Sequence, residues 1–278
     1  MELRRPATVE EAVGLLGNGT RGLAGGTDLV PLLREGLIRA ETLVQLRDVV
    51  PSGVEGTRIG AGTTLAELER NETIPRALRE ACAQAASPQL RAMGTIGGNL
   101  RQATRCWYWR LDFPCFLHGG DRCHAREGEH REHAIFGNEH CASAHPSDPA
   151  AALLALGATV RTDRRELPVA ELYRLPTDEN RDVVALAPDE LILDLDVPRA
   201  DASVYLKAMD RRAWAFALVG VAAARIAGEI RLGLAGVAPT PWLLPSLDAL
   251  EEATPLPGTA YKLELARALV RRALDAVA

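Results

Sequence analysis

Four of the chain's five cysteines, Cys106, Cys115, Cys123 and Cys141, fall in one stretch that opens RCWYWRLDFPCFLHGGDRCH at Arg105. All six histidines, His118, His124, His130, His133, His140 and His145, lie in the same stretch. Thiolates and imidazoles are ligands for soft and borderline metals, so the clustering is either a metal site or an accident of composition. The N-terminus has no long apolar leader, which predicts a cytoplasmic chain, or a periplasmic one if an exported partner carries it. Disulfides are unexpected in the cytoplasm, so the clustered thiols point to metal or redox chemistry. Cys82 is different: it shares one side of the amphipathic PRALREACAQAA with Leu78 and Ala81, and reads as a small buried residue.

A second kind of chemistry is suggested by glycine pairs. Gly25-Gly26-Thr27 and Gly97-Gly98-Asn99 both read as turns with a small polar residue beside the glycines. Glycine lacks a Cβ, so backbone amides there can approach a ligand closely, and a following helix N-terminus favours an anion. Two such turns could grip the two phosphates of a dinucleotide from opposite sides. Neither has G-x-G-x-x-G spacing, and neither is followed by the lysine of a phosphate loop. Each alone reads first as a plain tight turn with no ligand.

These residues must be positioned by an ordinary soluble scaffold. The composition, 47% apolar and 25% charged with a net charge of −5, is that of a globular domain. No basic stripe suggests nucleic acid, and no apolar run is long enough for a membrane span. Thr8 with Glu11 predicts a capping box ahead of a helical face made by Val9, Ala12, Val13 and Leu16, with Gly17 ending the helix. GLAGGTDLVPLLREGL predicts a strand, a turn and a helix with Asp28 near its N-cap; TLVQLRDV predicts the next strand. Thr64 and Glu67 predict a second capping box before LAELER. Periodicity is lost from Arg101 to Pro146 and returns as helix then strand in PSDPAAALLALGATVRT. Strands are expected in ELILDLDVP, SVYLKAMD and IRLGLAGV, a helix in YKLELARALVRRALDAV, and a boundary near 174–178 where turn formers cluster.

LAGGTDL and TIGGN together resemble the paired FAD-pyrophosphate motifs of the flavin subunit of molybdenum hydroxylases, the family of carbon monoxide dehydrogenase medium subunits and xanthine dehydrogenase flavin domains. The likeness runs on through PSDPAAALLAL to YLKAMDRRAWAFALVGVA. It implies an α+β architecture: a two-subdomain FAD-binding fold of the PCMH/vanillyl-alcohol-oxidase type over 1–175, divided near 55, then a C-terminal α/β flavoprotein domain over 176–278. It implies that Gly22, Leu23, Ala24, Gly25, Gly26, Thr27, Asp28 and Leu29 form the first FAD loop. Thr95, Ile96, Gly97, Gly98 and Asn99 form the second. Asp148 is implied to contact the cofactor, although it could equally cap its helix. Lys207 is implied to lie near the flavin and Leu193 to line the site; a surface charge and ordinary core are the plain alternatives.

The 101–146 insert separates the second Gly-Gly segment from Asp148, where simpler family members run almost directly on. It resembles the insert of aldehyde oxidoreductase and 4-hydroxybenzoyl-CoA reductase flavin subunits, which implies that Cys106, Cys115, Cys123 and Cys141 hold a [4Fe-4S] cluster. The spacing lacks the close C-x₂-C runs of ferredoxins, and zinc bound by mixed Cys and His ligands is the competing metal. Trp107, Tyr108 and Trp109 are expected to cover the site. The implied function is electron transfer: a molybdenum-cofactor subunit and a [2Fe-2S] subunit deliver electrons to FAD here, and an external acceptor takes them. No nucleophile or acid–base pair is expected in this chain. The competing function is a flavin-free scaffold or assembly module whose insert is held by zinc.

Overall fold

The computed structural model describes residues 1–211 and 214–278. The first unit is the expected alternation: β1 (Glu2–Arg4), α1 (Val9–Leu15), β2 (Thr20–Leu23), α2 (Leu29–Arg34) and β3 (Thr42–Gln45). Its strands pair in parallel in the order β1-β3-β2. Thr8 caps α1 by accepting the Glu11 amide, but Glu11 reaches back to the Ala7 amide rather than to Thr8, so the expected box closes one residue early. Asp28 stands at the N-cap of α2 without capping it; its side chain is engaged elsewhere.

The second unit begins with β4 (Val54–Glu55), β5 (Arg58–Gly60) and α3 (Leu65–Arg70). Here Thr64 and Glu67 do form the complete capping box. Helix α4 (Arg76–Gln84) turns Ala77, Leu78, Ala81 and Cys82 into the core, so Cys82 packs as a small apolar residue. A short α5 (Pro88–Arg91) leads to α6 (Ile96–Leu100). Gly97 and Gly98 are thus inside a helical turn capped by Thr95, not in the tight turn their pairing suggests. The Cβ that any other residue would bring at Gly97 would lie 2.8 Å from the Ala61 Cβ, and this close crossing is what glycine permits.

The insert holds α7 (Trp107–Arg110) and two short 3₁₀ turns at Phe116–His118 and His124–Arg126. It is tied down by backbone and side chain. Ile135 and Phe136 amides both donate to the Val237 carbonyl, and Arg181 donates to the Phe116 and Gly120 carbonyls. Lys262, wholly buried, donates to the carbonyls of Glu132 and Gly236 at 2.8 Å each. A segment without periodic apolar residues therefore borrows its order from neighbouring elements.

Helix α8 (Asp148–Ala155) follows, capped by Ser147, and every residue in it is buried. A helix apolar on all sides is a core element; α8 packs against α4, against α6 and against the third unit's sheet. Strands β6 (Thr159–Thr162), β7 (Glu166–Pro168) and β8 (Ile192–Asp196) complete a five-stranded antiparallel sheet in the order β4-β5-β8-β6-β7. The boundary expected at 174–178 falls inside this unit, because β8 pairs with both β5 and β6; sheet membership places the division after Asp196. The third unit is an antiparallel meander, β9 (Ala202–Ala208), β10 (Val219–Ile226), β11 (Glu229–Ala235) and β12 (Trp242–Leu244), backed by α9 (Tyr261–Val277). Two apolar cores result, one under the first two units and one between the meander and α9.

Candidate functional site

A cavity of about 400 Å³ opens where the three units meet. Gly22, Ala24, Gly25, Gly26, Thr27, Asp28 and Leu29 line one side, and Thr95, Gly97, Gly98 and Asn99 line another. The two glycine segments therefore face one space, although about seventy residues separate them in sequence. Their approach is close. A Cβ at Gly25 would fall on the Met93 carbonyl, and Gly26 takes φ 72°, a left-handed conformation glycine adopts without strain. The amides of Gly25, Gly26 and Thr27 find no acceptor among the described residues. Unpaired amides beside a crowded glycine bend suit oxyanion binding, and they fit the phosphates of a dinucleotide.

Leu23 and Ile96 do not reach the cavity; Ile96 is fully buried behind the second segment. Asp148 does line it, and its surroundings settle how it is held rather than what it touches. Its carboxylate is buried and accepts from Lys207 Nζ at 2.8 Å and from the Tyr205 hydroxyl. Burial pushes the Asp148 carboxyl above its ordinary range, and the Lys207 and Tyr205 donors pull it back. Ser147, not Asp148, caps α8. Lys207 has no exposed side-chain surface and also donates to the carbonyls of Gln84 and Ala215 at 2.9 and 2.8 Å. It stands behind the wall, fixing Asp148 and the Trp214–Phe216 segment, and is not a solvated charge. Leu193 is part of β8, partly buried against the core, with its carbonyl accepting the Ala61 amide; its neighbours Leu191 and Ile192 line the cavity instead.

Other lining residues were not singled out from sequence. Arg101, Gln102, Ala103 and Arg105 enter from the start of the insert, and Trp214 and Phe216 from the β9–β10 connection. Trp214 and Phe216 are 62% and 49% exposed, unusual for large apolar side chains away from a binding surface. The WAFAL sequence that carries them was the available signal. The expected apolar segment there is divided between a loop and β10.

The four insert thiols are free, and Cys115 and Cys123 lie close enough to Cys106 for their charge to bear on it. Cys106 Sγ is 3.2 Å from His133 Nε2, and the Ala142 amide donates to Cys123 Sγ at 3.4 Å. A thiol hydrogen bond from Cys141 draws Cys123 down to about 5 and leaves Cys141 well above its ordinary value. Desolvation pushes Cys106 up to about 11, with the nearby Cys123 and Cys115 adding to the rise. Among the described residues, no three His, Cys, Asp or Glu side chains stand at metal-ligating separation. By donor type alone, four thiols suit a thiolate-ligated centre, but their arrangement does not bring them to ligating distance. Tyr108 packs edge-on to Phe113 and stacks with His124, while Trp107 meets His133 edge-on. Trp107, Tyr108 and Phe113 thus pack on the histidines of the insert, while Trp109 meets His118. Buried His133 and His145 are held neutral by desolvation, at about 4 and about 3.

Residues 1–200 match the family described as the FAD binding domain in molybdopterin dehydrogenase. The chain is 37% identical over 253 residues to the aldehyde oxidoreductase FAD-binding subunit of Escherichia coli, covering 83% of this chain and 79% of that one. It is 41% identical over 109 residues to the carbon monoxide dehydrogenase medium chain of Afipia carboxidovorans, covering 35% and 38%. A crystal structure of Cu,Mo-CO dehydrogenase in its cyanide-inactivated form superposes with a TM-score of 0.71 at 25% identity, over 100% of this chain and 97% of the other. No helix among the described residues is long and apolar enough to cross a membrane.

Proposed function

The chain belongs to the FAD-binding domain family of molybdopterin dehydrogenases, and from that membership we propose that it is the flavin and iron–sulfur subunit of a heteromeric molybdenum hydroxylase of aldehyde oxidoreductase type. The observation that carries this reading is one cavity faced by both glycine segments, with the Gly25–Thr27 amides free to bind an oxyanion. The Gly25–Thr27 amides and the Gly97–Gly98 turn would hold the FAD diphosphate. Asp148, fixed by Lys207 and Tyr205, would present a stable polar edge, and Trp214 and Phe216 would shield an apolar ring system from water. Bound there, the flavin supplies the redox capacity to take electrons from molybdenum and [2Fe-2S] partner subunits and release them to an external acceptor.

Cys106, Cys115, Cys123 and Cys141 are the proposed ligands of a [4Fe-4S] cluster, a reading supported by four thiols gathered in an insert that has little core of its own. One contact favours a second metal: His133 at 3.2 Å from Cys106 would suit a mixed Cys/His zinc site and the scaffold reading. Absorption and elemental analysis of the purified chain separate the two. Flavin with iron and acid-labile sulfide, the iron lost in Cys115→Ser and Cys141→Ser, is the expected result. A colourless zinc protein would replace the electron-transfer reading with the scaffold. Metal-free protein that binds FAD would remove the cluster and keep the flavin.

A further inference from the structure

The Asp28 carboxylate belongs by position to the first glycine loop, yet every hydrogen bond it accepts comes from the insert. Its Oδ2 accepts the Ala103 amide at 2.7 Å; its Oδ1 accepts Arg110 at 2.9 Å and also Arg105. All three side chains are largely buried, with Asp28 at 18% and Arg110 at 16% exposure, so solvent screens these charges weakly. Arg105 extends over the Phe216 ring, which reaches the cavity from the third unit. Arg110 continues inward: its Nε donates to the Thr104 carbonyl, and its amide donates to the Cys106 carbonyl at 2.9 Å. Cys106 therefore sits between two arginines that converge on one carboxylate.

We propose that Asp28 is a positioning residue that couples the dinucleotide cavity to the thiol site, so that filling the cavity orders the Cys106–Arg110 turn. The proposal rests on the reading of that cavity as the FAD site. The physical basis is a shared element: the loop that would wrap the diphosphate and the turn that carries Cys106 end on opposite sides of the same carboxylate. Whatever fixes one restricts the other, and the coupling is reciprocal, so an ordered turn must strengthen FAD binding by the same factor. Neither Arg110 nor Cys106 lines the cavity, whereas Asp28, Ala103 and Arg105 do, so FAD reaches the turn through this cluster and not by touching Arg110 or Cys106.

The test uses the full chain freed of flavin, with and without added FAD, and reads hydrogen exchange at the Arg110 and Leu111 amides that close α7. FAD should slow that exchange about tenfold in the parent protein, within the usual range for coupled sites. In Asp28→Asn, which keeps the shape and removes the charge, the slowing should shrink to less than twofold when exchange is read at FAD concentrations that saturate the variant. The reciprocal variant, Arg110→Gln, should weaken FAD binding about fivefold by fluorescence titration although it never touches the cavity. Unchanged α7 exchange on FAD binding to the parent overturns the coupling and leaves the FAD site standing, as does an unchanged FAD affinity in Arg110→Gln. Failure of the parent to bind FAD at all overturns the reading of the cavity, and the coupling with it.

Discussion

Replacing Gly25 by alanine puts one methyl group where the two glycine segments meet. The added Cβ would overlie the Met93 carbonyl oxygen and stand 2.7 Å from its carbon and 3.1 Å from the Gly94 Cα. All three atoms are backbone, so no side chain can swing aside; the loops must separate by about 1.5 Å to restore ordinary contact. Gly25 does not have a positive φ, so alanine is otherwise compatible with the bend and the cost is steric alone. Overpacking of this kind costs about 1–3 kcal/mol. If the strain is relieved by opening the cavity, the same energy appears as roughly a 5- to 150-fold loss of FAD affinity. Gly14→Ala is the control: nothing lies within 4 Å of its Cβ, and it is in helix α1, where alanine should be neutral or stabilise by up to about 1 kcal/mol. Flavin content after gel filtration, FAD titration and thermal melting measure both variants. A Gly25→Ala protein with parental melting and full flavin occupancy would show that the loops do not meet as described.

Asp148→Ala strands the buried Lys207 ammonium on two carbonyls and should cost about 3–5 kcal/mol in urea unfolding, while Asp148→Leu with Lys207→Met should recover much of it. A double variant no better than Asp148→Ala would count against that account. Lys262 has its affinity for a proton lowered by burial to about 7, against about 10.4 in an unfolded chain. The unfolded state then holds more protons between these values, so stability should rise from pH 7 to pH 10 and the stabilising effect of neutral Lys262 should be lost as pH falls through 7. Comparing the pH profile of melting with that of Lys262→Met isolates this contribution, and parallel profiles would refute it. Thr64→Ala removes a complete capping box on α3 and should destabilise by about 0.5–2 kcal/mol in equilibrium unfolding.

Sequence alone determined the features whose physics is local. The α1 and α3 caps, the buried face of α4, the Ala/Leu-rich α8 and the alternating strand before residue 197 follow from side chains a few positions apart. The two glycine segments and the crowded thiols were also visible, because residue type and spacing suffice to mark them. Tertiary structure decided what those residues meet. Asp28 looks like a helix cap but serves residues 75 to 82 positions away. Lys207, read as a residue near the flavin or else a surface charge, is buried on Asp148, and the domain division moves past β8 because that strand completes an earlier sheet. Helical and strand periodicity register neighbours along the chain. Ion pairs, sheet partners and cavity walls are set by contacts between distant segments, and no local spacing encodes them.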